Sequence, residues 1–311
     1  MNLSPKQWVL LTAIISGCSV YYNSFAVKGL DPVGFAMAKN LLAALALVGV
    51  LAIGAQWKQF LSFTRSQWMQ LLAIAVIGGS IPFALFFGGL SIATGATAAA
   101  GAASASFFYR LMFIFSAILA VAFLRERPSL KAGIGVAIIL GANLLYLTTL
   151  KGFSIGIGEM MVLAATLMWS AETILLKKSL SWISPDALAT ARLGLGSIIL
   201  FAAMVAFMPA SVGALAALPL APLLISALFI VGFTMTLYRG LAGLGVTNTT
   251  AILTLGGLVS AALPILLSSK LPGLVEGLSL VLIALGTGLV LTSRQAPQTG
   301  RIEAKPTSTR A

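Results

Sequence analysis

The side chains able to do acid–base, nucleophilic or metal chemistry are few in this chain, and several of them sit inside apolar stretches. Histidine is absent, Cys18 is the single cysteine, and Asp and Glu together number seven. Zinc sites, disulfide frameworks and haem ligation by His therefore have no material to work with, and neither a metal nor another cofactor is expected. No Gly-rich phosphate loop of the P-loop type is present, so ATP is not hydrolysed by this chain and any driving energy comes from gradients. Four ionisable residues then stand out inside apolar runs: Lys39, Arg110, Glu172 and Arg192. A charge at mid-helix in a bilayer costs roughly 2.5–3.5 kcal/mol on insertion scales, so each is a functional candidate.

Glu172 is the sharpest of these, the one carboxylate expected well inside a helix. Trp169, Thr173 and Leu176 share its face at helical spacing. It could carry a proton or hold a substrate amine, because desolvation favours a neutral carboxyl group while a neighbouring guanidinium favours the charged one. The competing reading is a buried ion pair with Arg192 or Arg110. Arg110 follows Ser104, Ser106 and Tyr109 in an otherwise apolar span. Its planar fork suits a carboxylate or phosphate of a substrate, and the alternative is pairing with Glu172 or capping carbonyls of a broken helix.

Lys39 and Arg192 each lie seven residues into an apolar run, about 10 Å from an interface at ~1.5 Å per residue. Long stems can snorkel that far, so both read as anchors or inter-helix hydrogen bonds rather than as substrate contacts. Tyr22, Asn23, Tyr109, Arg110, Trp169 and Glu172 form the expected substrate-binding set, with Glu172 also the candidate for proton coupling. Phe83, Phe86, Phe87, Phe107 and Phe108 could shape an apolar pocket, and the preferred reading is that they face lipid or core.

The elements that must position these residues follow from composition. The 311 residues are 59% apolar and 8% charged with mean hydropathy +1.05, far from the roughly 25% charged residues of a soluble domain. A spanning helix needs about 20 mostly apolar residues. Cutting at charges, Pro and polar clusters gives ten such stretches, near 7–27, 33–55, 67–90, 97–123, 131–150, 158–177, 186–208, 219–241, 247–269 and 273–293. The expectation is an all-α polytopic membrane protein of ten transmembrane helices. The first stretch exceeds the 7–15 residue core of a signal peptide and reads as a retained helix. Ile15-Ser16-Gly17-Cys18 matches a lipoprotein cleavage box by coincidence. The tail 294–311, rich in Pro, Thr, Gln and Arg, is expected to be disordered.

A net charge of +12 would point to nucleic acid in a soluble protein, but the cations sit in short loops. With the N-terminus inside, the cytoplasmic side collects Lys6, Lys58, Arg65, Arg125, Arg127, Lys131, Lys177, Lys178, Arg239 and Arg294, against Lys28, Lys151 and Lys270 opposite. That asymmetry is topology, and it places both termini in the cytoplasm of a cell whose inner membrane holds the protein. The partners expected are membrane lipids and a small-molecule substrate, with no nucleic acid; a homodimer is a further expectation.

Residues 1–150 and 151–293 carry a weak internal repeat. Asp31-Pro32 precedes Lys39 as Pro185-Asp186 precedes Arg192. Asn23 precedes Lys28 by five residues, as Glu172 precedes Lys177. Gly89-Leu90 matches Gly240-Leu241, and Pro128 with Gly133 matches Pro272 with Gly277. A unit of five spans crosses an odd number of times, so its second copy enters with opposite orientation. Inverted repeats with a site near the midplane are an architecture of secondary transporters. Dense small residues, among them Gly78-Gly79, Gly194 with Gly196 and Gly286 with Gly288, let helix backbones approach closely, and Pro82 and Pro264 mark bends.

With Pro32 through Lys39-Asn40, Trp169 with Lys177, and Phe123-Leu124-Arg125-Glu126-Arg127-Pro128 followed by Gly133 and Gly141, the chain resembles the drug/metabolite transporter superfamily in its ten-helix EamA-like branch. The resemblance implies two inverted five-helix repeats and an exporter or exchanger of amino acids or related metabolites. The chain departs from it at Phe113, where the family often has Pro, at Arg125, where it often has Gly, and at Lys270, where the second half would carry the matching acid. The function expected is secondary active transport by alternating access, with export the expected direction and proton-coupled exchange as one form. An intramembrane enzyme acting on a lipid or isoprenoid would need paired carboxylates, a His or a metal site. A channel would need rings of like groups, and a bundle without transport is the remaining alternative.

Overall fold

A computed structural model describes residues 3–26, 29–94, 108–109, 111–148, 155–268 and 273–293. The described residues are helical, with no strand among them. In chain order the helices are α1 (Pro5–Ala26), α2 (Pro32–Ile53), α3 (Arg65–Ile74), α4 (Ile81–Thr94), α5 (Met112–Leu124), α6 (Leu130–Leu147), α7 (Ile157–Ser179), α8 (Pro185–Phe207), α9 (Pro209–Ala214), α10 (Leu220–Gly243), α11 (Val246–Leu253), α12 (Leu255–Ser268) and α13 (Leu274–Thr292). Arg110, Phe107, Ser104, Ser106, Lys28, Lys151, Lys270 and the tail from Arg294 lie outside the described residues.

Local chemistry sets the helix starts. Asp31 caps α2 by accepting from the Gly34 N–H at 2.6 Å, and Pro32 occupies the first turn, where its missing N–H is not needed. Ser184 with Pro185 repeats the device at α8. Thr64 and Gln67 form a reciprocal capping box at α3. Glu159 and Glu276 each reach back to the backbone N–H of a glycine ahead of their helix, Gly156 and Gly273, at 3.1 Å. The acids of the chain are thus largely spent on helix N-termini, where the dipole favours them.

Seven helices are long and apolar enough to cross a membrane: Pro32–Ile53, Arg65–Gly89, Leu130–Leu147, Ile157–Ser179, Pro185–Phe207, Leu220–Gly243 and Leu274–Thr292. Shorter apolar helices cover Met112–Leu124 and Val246–Ser260, and α1 adds 22 residues. The outer surface of the bundle is apolar, with Leu45, Val48, Ile118, Ile198, Leu228 and Leu285 exposed. No soluble protein leaves so many large aliphatic side chains on its outside. This is an all-α polytopic membrane protein.

Among the described residues, two of the stretches are not continuous α-helices. The third contains a π-helical turn, Ala75–Ser80, between α3 and α4, and the ninth divides at Thr254 into α11 and α12. The segments between the second and third and the seventh and eighth stretches also carry structure that composition does not announce: a 3-10 turn at Gln56–Ser62 and the short helix α9.

The packing is nearly unchanged when the two halves are exchanged. α4 packs along α7 as α10 packs along α1; α5 meets α7 as α12 meets α1; the π-turn meets α8 as α10 meets α2. α2 with α8 and α6 with α13 are pairs of equivalent helices. In the last of these, Gly135 and Gly286 abut: a Cβ on Gly286 would lie 2.7 Å from the Gly135 carbonyl oxygen. The interior between α2, α3, α7, α8 and α10 is filled by Leu47, Leu71, Ile74, Leu188, Leu193, Tyr238 and Leu241, each fully buried.

Candidate functional site

The π-turn is the centre of the site. In a regular helix the Gly78 carbonyl would accept from residue 82, but residue 82 is Pro and has no N–H to give. Two side chains from the other half reach it: Trp169 Nε1 on α7 donates at 3.0 Å and Arg192 Nη2 on α8 at 3.1 Å. The same Arg192 Nη2 donates to Glu172 Oε2 at 2.9 Å, and Arg192 Nε donates to Glu172 Oε1. Both carboxylate oxygens are therefore held by one guanidinium, and Arg192 and Glu172 are buried. Gly78 is required here, since a Cβ would run into the Glu172 carboxylate. The Arg192 stem does not carry its head out to an interface; it turns inward and joins both halves. This is a clamp of four residues, Gly78, Trp169, Glu172 and Arg192. The Tyr238 hydroxyl on α10 lies in the electrostatic field of the pair and has no hydrogen-bond partner.

Directly against Trp169 lies an aromatic cluster. Its ring packs on Phe83, Phe86 and Tyr109 with centroid separations of 5.4, 5.5 and 5.6 Å, and Phe87 packs on Phe83 and Phe86. Phe83 and Phe86 thus face Trp169 inside the bundle, with Phe87 packed on both, because α4 packs along α7. Lys39 of α2 points into this cluster, its Nζ 5.9 Å from the Phe83 centroid and 6.0 Å from that of Phe87.

Lys39 has no acid to pair with. Among the described residues the two ion pairs are Glu172–Arg192 and Asp186–Arg239. Of the other carboxylates, Asp31 serves Gly34 and Ser211, Glu126 serves the Val246 and Thr247 N–H groups, and Glu159 and Glu276 cap their own helices. Glu303 lies outside the described residues. Cation–π contacts near 6 Å contribute about 0.5–1 kcal/mol each, less than the roughly 2.5–3.5 kcal/mol of a charge at mid-span. The balance is unfavourable, and Lys39 is half-buried with part of its surface still accessible. Asn40, the next residue, is fully buried with neither amide atom partnered.

The expected binding set does not come together as one group. Tyr109, Trp169 and Glu172 are neighbours across the cluster and the clamp. Tyr22 and Asn23 face α10 instead: Tyr22 packs on Phe229 at 5.8 Å, and Asn23 Oδ1 accepts from Ser226 Oγ at 2.6 Å. The repeat explains this, since Asn23 matches Glu172 and α10 matches the third stretch. Asn23–Ser226 is thus the counterpart of Glu172 against the π-turn. Arg110 lies outside the described residues.

Several residues act where sequence spacing gave no warning. Lys177 Nζ donates to the carbonyls of Leu241, Ala242 and Leu244 at 2.8, 3.1 and 2.8 Å, closing the C-terminal end of α10. Lys6 does the same for α13 through Leu291 and Ser293. Glu126 caps α11 across the bundle, and the residue before it, Arg125, adopts a left-handed φ of 53° at the end of α5. Asp186 pairs with Arg239, which also covers the Trp8 ring at 5.5 Å. Lys177 and Glu126 belong to the motifs that carry the family resemblance, and at Arg125, where the family often has Gly, the left-handed backbone is one that glycine favours.

An open groove of about 520 Å³ lies at the outer edge of α4 and α7, lined by Leu85, Ile157, Met160 and Met161 among others. Its side chains are apolar, so it offers nothing to orient a polar metabolite.

The fold defines a multi-pass membrane protein, and comparison with known proteins names the class. The chain matches the EamA-like transporter family twice, over residues 6–148 and 156–292. It belongs to that family, and its two halves are two copies of the family's repeat. It is 26% identical over 229 residues to an uncharacterized transporter of Archaeoglobus fulgidus, covering 69% of this chain and 74% of that one. A protein crystal structure 13% identical in sequence shares the fold, with a TM-score of 0.71 over 93% of this chain and 99% of the other.

Proposed function

We propose that this chain is a secondary active transporter that moves a small metabolite, an amino acid or a related compound, by alternating access, with export as its working direction. Its two halves are read as oppositely inserted five-helix units in the cell inner membrane with both termini cytoplasmic. The observation that carries this reading is the unpaired, partly accessible Lys39 in an aromatic cluster built from both halves. A bundle with no cargo gains nothing from a stranded cation, whereas a site that fills and empties needs groups left unsatisfied between visits.

The clamp supports the same reading. Gly78 belongs to the first half and Trp169, Glu172 and Arg192 to the second, so any rocking of one half on the other works through this junction. The π-turn and Pro82 supply the bend at that point. Unpartnered Asn40 and Tyr238, buried in this conformation, find partners when the packing changes. In the present conformation Glu172 is a clamp, and proton-coupled exchange through it requires the clamp to open. An intramembrane enzyme is disfavoured because the acid it would use is already held by Arg192.

The test is uptake into proteoliposomes of a panel of amino acids, organic acids and nucleosides, with and without a pH gradient. Saturable uptake of at least one class is expected. Folded protein that transports none of them would overturn the proposal.

A further inference from the structure

Every described acid of this chain is engaged elsewhere, yet Lys39 is kept in the bundle over two phenyl faces. A cation retained without a counter-ion, at a half-buried position, is a receptor for an anion that the protein itself does not provide. We infer that Lys39 is the anion-binding group of the transport site and that the cargo is an organic carboxylate with a flat apolar body. This narrows the transport reading from amino acids to related carboxylates that carry no ammonium group, and rests on it for the claim that the bound anion is cargo.

The geometry assigns the two parts of such a ligand. Lys39 Nζ lies 5.9 Å from the Phe83 centroid and 6.0 Å from that of Phe87, so a carboxylate accepting from it would sit at the rim of those rings. The rest of the ligand then lies along Phe86, Trp169 and Tyr109, whose mutual packing is edge-on or tilted. Aromatic rings prefer edge-to-face and offset contacts with a flat ligand, which an aliphatic chain does not offer. No described carboxylate is free to receive an ammonium group, since Glu172 has both oxygens on Arg192. A cationic metabolite therefore has neither partner nor reason to enter, while a monoanion neutralises the site as it binds. Lys39 and Arg192 occupy equivalent positions in the two halves, but among the described residues Arg192 has an acid partner and Lys39 has none.

The experiment uses three probes of one shape and different charge: phenylacetate, phenylacetamide and phenethylamine. Thermal unfolding of the full chain in detergent is followed against the concentration of each, for wild type, Lys39→Gln and Lys39→Arg. Phenylacetate is expected to raise the wild-type Tm in a saturable way, and the neutral and cationic probes to do so far more weakly. Lys39→Gln should weaken phenylacetate binding by about tenfold or more, the usual scale of a hydrogen bond to a charged group, and Lys39→Arg should retain part of it. Without ligand, Lys39→Gln should melt no lower than wild type, because it removes an unpaired charge. Equal binding of the three probes, undiminished phenylacetate binding to Lys39→Gln, no binding to wild type, or a lowered ligand-free Tm in Lys39→Gln would each overturn the inference. Phenylacetate binding without movement of labelled phenylacetate across liposomes would sink the transport reading and leave the anion site intact. Transport of a neutral or cationic metabolite by Lys39→Gln at the wild-type rate would do the reverse.

Discussion

Gly79 of the π-turn and Gly196 of α8 meet backbone to backbone: a Cβ on Gly79 would lie 2.9 Å from the Gly196 Cα and 2.6 Å from the Arg192 carbonyl oxygen. That approach is what lets a guanidinium on α8 reach a carbonyl of the third stretch and a carboxylate of α7 together. It follows that Gly196→Ala should lower stability by about 1–3 kcal/mol through overpacking. Unfolding in mixed detergent with increasing SDS measures this, and an unchanged midpoint would mean that the two helices are not in contact.

The Glu172–Arg192 pair should behave as a coupled unit. Glu172→Gln or Arg192→Gln alone strands the partner and should cost about 3–5 kcal/mol, whereas the double variant should cost clearly less than the sum. A double-mutant cycle on the same unfolding assay reads the coupling; additive effects would show that the two side chains do not touch.

Trp169→Phe keeps the ring stack and deletes the Nε1 donor to Gly78. The expected loss is about 1 kcal/mol of stability. Trp169→Leu also removes the aromatic surface and should impair ligand binding in addition, which ligand-dependent Tm shifts would reveal. Equal ligand binding in the two variants would remove the ring from the site.

At the end of α5, Arg125 holds a left-handed conformation that favours glycine, and the Arg125 and Glu126 N–H groups both return to the Ala120 carbonyl. Arg125→Gly is therefore expected to stabilise the protein by about 1 kcal/mol. Glu126→Ala should destabilise it by about 1–2 kcal/mol by uncapping α11. Opposite signs in two adjacent residues make a sharp test by thermal unfolding.

Much of this architecture was legible in the residues, because apolar length, Pro and N-capping side chains are local signals. Asp31-Pro32 and Pro185-Asp186 mark equivalent points ahead of Lys39 and Arg192, where α2 and α8 start, and Pro82 marks a bend. The composition of the site was only partly legible. Helical spacing put Trp169 on the face of Glu172, but periodicity says which residues share a face, not which neighbouring helix that face meets. Hence Arg192 and Arg110 were equal partners for Glu172 on paper, and the structure pairs Glu172 with Arg192. The repeat makes Lys39 and Arg192 look alike, yet one half carries Glu172 and the other Asn23, and among the described residues Lys39 has no acid partner. Phe83 and Phe86 face Trp169, with Phe87 packed on both, because α4 packs along α7, which only the packing of the two halves determines.

The central claim is that this protein carries a solute through the cluster formed by Lys39, Phe83 and Trp169. Counterflow tests it most directly: proteoliposomes loaded with unlabelled phenylacetate are diluted into a trace of the labelled compound. Transient accumulation above the equilibrium level, lost in Lys39→Gln, is the predicted result. A monotonic approach to equilibrium, identical in protein-free liposomes, would contradict it.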